Sequence, residues 1–186
     1  MKVGKLCILL FTGSILLFSC KKGDTGPQGP PGPEGSPNVQ YSDWFTPDVY
    51  KVTTRFGISS LDYTKAAPAI TQEILDKGTV LVYGKLNGYS TSLWTANQTA
   101  QLPIQIYYQI GAATNIDTWS ALPTVGNLRI NLVSSANAYT SDQSISHNHS
   151  FRYVIIPGGV KLGLANRSSV SALGYAELCD ALKIPQ

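Results

Sequence analysis

Charged side chains make up only 13% of this 186-residue chain, histidine occurs twice and cysteine three times, and each scarcity removes a class of function. Lys21-Lys22 is the only adjacent basic pair, and no Arg/Lys stripe interleaves with aromatics, so the formal charge of +3 gives no footprint for nucleic acid. Cys7, Cys20 and Cys179 form no Cys-x-x-Cys, which excludes a dithiol redox motif and a zinc ribbon. There is no phosphate-cradling Gly-x-x-x-x-Gly-Lys-Ser/Thr loop and no Gly-x-Ser-x-Gly elbow for a serine nucleophile. Long apolar runs are also missing: Cys7 to Phe18 is the longest, shorter than the roughly 20 residues that cross a bilayer.

That short run has the parts of an export signal. Lys2 and Lys5 precede it, and Leu17-Phe18-Ser19-Cys20 closes it with a small residue before the cysteine. Leu-x-Ser-Cys resembles the bacterial lipobox, in which the cysteine is acylated and becomes the first residue of the mature chain. The resemblance makes residues 1–19 a signal peptide and Cys20 a lipid anchor carrying more than one acyl chain, as firm attachment requires. Without Lys2 and Lys5 the mature chain holds 12 basic and 11 acidic side chains and is almost neutral. Cys7 leaves with the signal and Cys20 is taken by lipid. Cys179 is then alone, expected as a buried small hydrophobe with no base to activate it.

Gly23, Gly26, Gly29, Gly32 and Gly35 follow at strict three-residue spacing, with proline in four of the five triplets. Only glycine fits the axis where three polyproline-like strands meet, so this period marks a collagen-like stem over residues 20–37. At about 3.1 Å per residue the triplets extend roughly 45 Å. Two readings stand: a stiff monomeric spacer, or the stem of a homotrimer held in register by its heads.

Residues 38–186 form one further unit, long enough for a single core. Period-two patterning dominates it. Strands are expected over Val39–Phe45, Tyr50–Phe56, Thr79–Leu86 before the Asn87-Gly88 turn, Leu102–Ile110, Asn127–Val133 and Phe151–Ile156. In Asn127–Val133, Leu128, Ile130 and Leu132 share one face, opposite Arg129 and Asn131. Helical spacing appears twice: over 69–77, with Thr71 as cap and Gly78 as stop, and over 175–182, where Leu178 and Leu182 lie four apart and cover a sheet. The expected fold is mostly β, an antiparallel, jelly-roll-like β-sandwich with a short internal helix and a C-terminal helix, each sheet burying one face and exposing the other.

Chemistry is sparse in this head. His147-Asn-His149 sets two imidazoles on one face if the segment is a strand, enough for two ligands to a divalent metal but no more. Asp142 is the nearest carboxylate, and Asp117 and Glu73 have no recommending spacing. The polar run Thr140–Ser150 reads as an exposed loop, so no metal and no cofactor are expected, with His147 and His149 as the residues that come nearest to one. No catalytic residues emerge. Nine Asp and Glu residues in the head include no pair that marks glycoside hydrolysis, and a surface hydrolase ranks last. Aromatic residues favour a binding surface instead: Trp94, within the polar Ser92–Gln98 segment, then Trp119 and Trp44, with Tyr107, Tyr108 and Tyr139, offer rings for sugar faces or peptide side chains. Strand cores also recruit aromatics, so burial decides between ligand platform and packing.

Cys20-Lys-Lys-Gly-Asp-Thr-Gly26, the triplets, Asn38-Val-Gln-Tyr-Ser-Asp-Trp-Phe45, Ile74-Leu-Asp-Lys-Gly-Thr-Val-Leu-Val-Tyr83 and Phe151-Arg-Tyr-Val-Ile-Ile-Pro-Gly158 together resemble the collagen-like-repeat lipoproteins of Bacteroidota. The resemblance implies a cell-envelope protein held in the outer membrane through lipid and exposed at the surface. It supplies no catalytic residues. The expected role is structural or adhesive, with a glycan or a surface protein as partner and a carbohydrate-binding module as the alternative.

Overall fold

The computed structural model of the chain describes residues 38–159 and 172–186. The signal peptide over residues 1–19, the anchor Cys20 and the stem glycines Gly23, Gly26, Gly29, Gly32 and Gly35 lie outside the described residues.

Alternation builds the larger of two antiparallel sheets, ordered β2-β3-β8-β7-β6. Its strands are β2 (Lys51–Arg55), β3 (Ile58–Ala66), β6 (Ile104–Ile110), β7 (Ala113–Thr124) and β8 (Asn127–Ser134). In β8, Leu128, Ile130 and Leu132 are fully buried, with Arg129 exposed on the opposite face, as the period-two pattern predicts. Leu61 of β3 and Ile104 and Ile106 of β6 are buried in the same core. The outer face carries Lys51, Thr53, Ser60, Asp62, Ser120 and Asn131, and there Asn131 Nδ2 donates to Asp62 Oδ1 at 2.9 Å.

The smaller sheet runs β1-β9-β4-β5, with β1 (Gln40–Tyr41), β4 (Thr79–Lys85), β5 (Ala100–Gln101) and β9 (Ser150–Ile156). It departs from the expectation that each sheet exposes one face. Val82, Phe151, Tyr153 and Ile155 point into the core shared with the larger sheet. Leu81, Tyr83, Val154 and Ile156 pack on the other side with Leu178 and Cys179 of helix α2 (Tyr175–Leu182) and with Leu173 and Ile184. Coverage on both faces is why β4 and β9 read as nearly continuous apolar runs. It also buries the Cys179 thiol, as expected.

Arg152 fastens this second layer. Its side chain is buried, Nε donates to the Ser42 carbonyl at 2.9 Å and Nη1 donates to the Tyr175 hydroxyl at 2.6 Å and to the Pro185 carbonyl. The guanidinium also lies 4.7 Å over the Tyr41 ring. One side chain thus ties the segment around β1, the terminal helix and the chain end to β9.

Helix α1 (Gln72–Lys77) starts at the expected cap, where Thr71 Oγ1 accepts from the Ile74 amide at 3.3 Å, and ends at Gly78. No helix among the described residues is long and apolar enough to cross a membrane.

The β2–β3 hairpin has an unusual tip. Phe56 and Gly57, at φ 51° and 79°, form a two-residue link of the type I′ kind, and the phenylalanine ring is wholly exposed. Asn137 clamps the turn, donating to the Gly57 carbonyl at 3.1 Å and accepting from the Ser59 amide at 2.9 Å. Glycine meets no steric cost in this backbone region, whereas phenylalanine does and gains no burial in return. Phe56→Asn, which supplies the residue such turns favour, is expected to raise the unfolding free energy by about 1 kcal/mol in urea titrations. A loss of stability would show that the ring packs where this geometry leaves it bare.

Candidate functional site

Strand β7 places two polar side chains where a core strand would carry apolar ones. Its inward residues are Asn115, Asp117 and Trp119, all fully buried. Burial of a carboxylate is costly unless donors replace its water, and here they come from four directions. Tyr89, Tyr108 and Tyr139 donate their hydroxyls to Asp117 Oδ2 at 2.8, 3.0 and 2.9 Å. Asn115 Nδ2 donates to Asp117 Oδ1 at 2.8 Å. All four contacts are donors, the arrangement that suits an acceptor-only carboxylate.

The network extends both ways. Asn115 Oδ1 accepts from the Ser134 hydroxyl at 2.7 Å and the Ala136 amide at 2.8 Å, tying β7 to the end of β8. On the other side Trp119 Nε1 donates to the Tyr89 oxygen at 3.0 Å. Burial first, and then the Asp117 charge, pushes the Tyr89 phenol well above its ordinary value; burial is also the leading cause for Tyr108 and Tyr139. The three hydroxyls therefore keep their protons and act as donors throughout the neutral range.

His149, just ahead of β9, completes the cluster. Its ring meets Trp119 edge to face at 4.6 Å between centroids, and its Nδ1 accepts from the Asn87 amide at 3.0 Å. Burial holds the imidazole down at about 4, opposed by Asp117 and aided by His147. With Nδ1 accepting, the neutral ring carries its proton on Nε2.

These side chains back a cleft of about 390 Å³, walled by the loop after β4, by the segment through Ser144 and Ser146, and by His149. Asn87 and Gly88 lie at its edge, Gly88 in a bend at φ 88° that opens a long loop to β5 rather than the expected tight turn.

The histidines do not act together as the strand reading required. His147 and Asn148 lie in a turn, so the two rings do not share a strand face. His147 Nε2 faces Asp142 instead, at 3.2 Å from its carbonyl and 3.3 Å from its carboxylate. Asp142 Oδ1 in turn accepts from the Tyr50 amide at 2.6 Å. Among the described residues no three His, Cys, Asp or Glu side chains are grouped to hold a metal, and no serine hydroxyl bonds to either imidazole.

The tryptophans are corrected as a ligand platform. Trp119 is fully buried between the sheets and Trp94 is 6% exposed. Trp44 is half-buried on the α2 side, with Lys85 Nζ 4.1 Å over its ring and Tyr175 edge-on at 5.6 Å. The three rings share no face, because the core needed them more than the surface did. Tyr107 is exposed on the outer sheet face, its hydroxyl donating to Gln105 at 3.0 Å. Tyr108 and Tyr139 do meet, with Tyr89, around Asp117. Sequence reasoning passed over Tyr89 and set Asp117 aside.

Comparison with known proteins finds no matching family model, no matching curated protein and no matching solved structure.

Proposed function

We propose that this chain is a lipid-anchored cell-envelope protein, of the collagen-like-repeat kind it resembles, whose jelly-roll-like β-sandwich head works by contact in surface architecture or adhesion. The observation that carries the reading is Leu17-Phe18-Ser19-Cys20 at the end of a charged and then apolar leader, followed at once by five Gly-x-y triplets. Such an order attaches, spaces and presents whatever follows. The outer membrane is the proposed site of attachment, and the triplets serve as a spacer or as a three-chain stem.

The head supports contact over catalysis. Its most buried carboxylate, Asp117, is saturated by four donors, so it has no open side from which to take a substrate proton. Cys179 is buried under α2.

Metabolic labelling with an alkyne fatty acid in bacterial cells tests the anchor. The full-length chain is expected to carry the label and sediment with membranes, whereas Cys20→Ala loses the label and is no longer processed at that site. An unlabelled wild-type chain, or a labelled Cys20→Ala chain, would overturn the reading.

A further inference from the structure

We propose that the cleft beside the Asp117 cluster binds one neutral sugar unit of a glycan. This gives the contact reading a ligand class and rests on it for biological setting only, since the site is built wholly within the head.

The wall chemistry selects the ligand. Tyr89, Tyr108 and Tyr139 line the cleft with Leu93 and Ile145, and Ser90, Ser144 and Ser146 stand among them. No Lys, Arg, Asp or Glu lines it, so a charged ligand would lose its hydration and meet no counter-ion. A purely apolar ligand fails for the opposite reason. His149 is 3% exposed, its Nδ1 is occupied by the Asn87 amide, and Nε2 has no hydrogen-bond partner among the described residues. An apolar occupant would seal that donor without an acceptor, at a cost of about 1–3 kcal/mol.

A sugar resolves both demands. Its hydroxyls accept from His149 Nε2 and donate to serine or phenolic oxygens, and its C–H faces lie against tyrosine rings and Leu93. Tyr108 and Tyr139 are suited to accept, because each gives its proton to Asp117 and is fixed by it, whereas the Tyr89 oxygen already accepts from Trp119 Nε1. A cleft of about 390 Å³ falls within the range of small-ligand sites, roughly 300–1,000 Å³.

A larger concavity of about 630 Å³ on the outer face of the five-stranded sheet is a weaker candidate. Its polar groups bond one another there, as Asn131 does with Asp62 and with Ser60 at 2.6 Å.

The chain has only two histidines, which makes the test specific. Full-length protein in detergent, labelled with ¹⁵N at histidine, is titrated with methyl glycosides of glucose, galactose, mannose and N-acetylglucosamine and, separately, with methyl glucuronide. At least one neutral glycoside is expected to move the His149 imidazole resonances saturably while those of His147 stay in place. Leu93 is 41% exposed, so Leu93→Arg changes the wall with little effect on folding, and it is expected to weaken binding about tenfold or more. Unchanged His147 resonances in that variant would report an intact fold. The proposal is overturned if no neutral glycoside moves His149, if the glucuronide binds equally well, or if Leu93→Arg titrates like wild type. None of these outcomes touches the fatty-acid label at Cys20, so the ligand and the anchor can fail separately.

Discussion

Asp117→Ala is expected to lower the unfolding free energy by about 4 kcal/mol, a large fraction of the roughly 5–15 kcal/mol that a domain of this kind has. The carboxylate is fully buried and is the common acceptor for three phenols and the Asn115 amide. Removing it strands several donors at once, the fully buried Asn115 amide among them. Asp117→Asn keeps the shape and one acceptor but turns an NH₂ group toward neighbouring donors, and is expected to cost about 2–3 kcal/mol.

The mechanism has a sharper signature in a double-mutant cycle. Tyr139→Phe alone is expected to cost about 1 kcal/mol, since Tyr89 and Tyr108 still satisfy Asp117 Oδ2. In the Asp117→Ala background the same change should cost much less, because the hydroxyl it removes has lost its carboxylate acceptor and keeps only a 3.3 Å contact with the Tyr108 hydroxyl. Urea unfolding of the four proteins measures the coupling. Additive effects, or a loss under about 1 kcal/mol for Asp117→Ala, would mean that the phenols find other acceptors and the carboxylate is incidental.

What could be read from the chain follows from where its hydrophobic pattern is honest. β8 alternates from Asn127 to Leu132, and its Leu128, Ile130 and Leu132 are where the pattern puts them. The Thr71 cap and the Gly78 stop frame α1 because both act through local backbone geometry. β3 escaped notice because its inward row includes Ser59 and its outward row Ser60, Asp62 and Thr64, too polar to register as a half-buried strand. β7 is the stronger case. Its inward positions include Asn115, Asp117 and Trp119, and its outward ones Ile116 and Leu122, so polarity and burial are inverted over Asn115–Asp117 and again at Leu122.

That inversion hid the site as well. Only Asn115, two residues back, is a near partner of Asp117 in sequence; Tyr89 and Tyr139 reach it from separate segments, and His149 feels its charge from a third. An acidic residue in a strand of mixed pattern, in a chain with 10 tyrosines, was the available signal. It identifies no partner until the topology does. The tryptophans failed in the other direction. A polar neighbourhood at Ser92–Gln98 suggested exposure for Trp94, yet the loop folds its one large apolar ring inward.

The same cluster makes stability depend on mild acid. In the folded protein burial holds His149 down at about 4, while an unfolded chain returns the ring to about 6.5. Between those values the unfolded state binds a proton that the folded state refuses, so stability falls as the pH is lowered. The contribution of the neutral ring is fully present above about 6.5 and is progressively lost as the pH drops toward about 4, amounting to roughly 3 kcal/mol across the window. Geometry agrees with the direction: protonated Nδ1 would point a second N–H at the Asn87 amide, which already donates to it. Carboxylates titrate in the lower part of the same range, so the comparison is with His149→Gln between about pH 6.5 and 5. Wild type is expected to lose stability more steeply than the variant, by up to about 1.4 kcal/mol per pH unit at the lower end. The slope is the readout, because the substitution itself changes the level. Parallel slopes would mean that the ring takes up its proton alike in the folded and unfolded chain, and that burial does not hold it down.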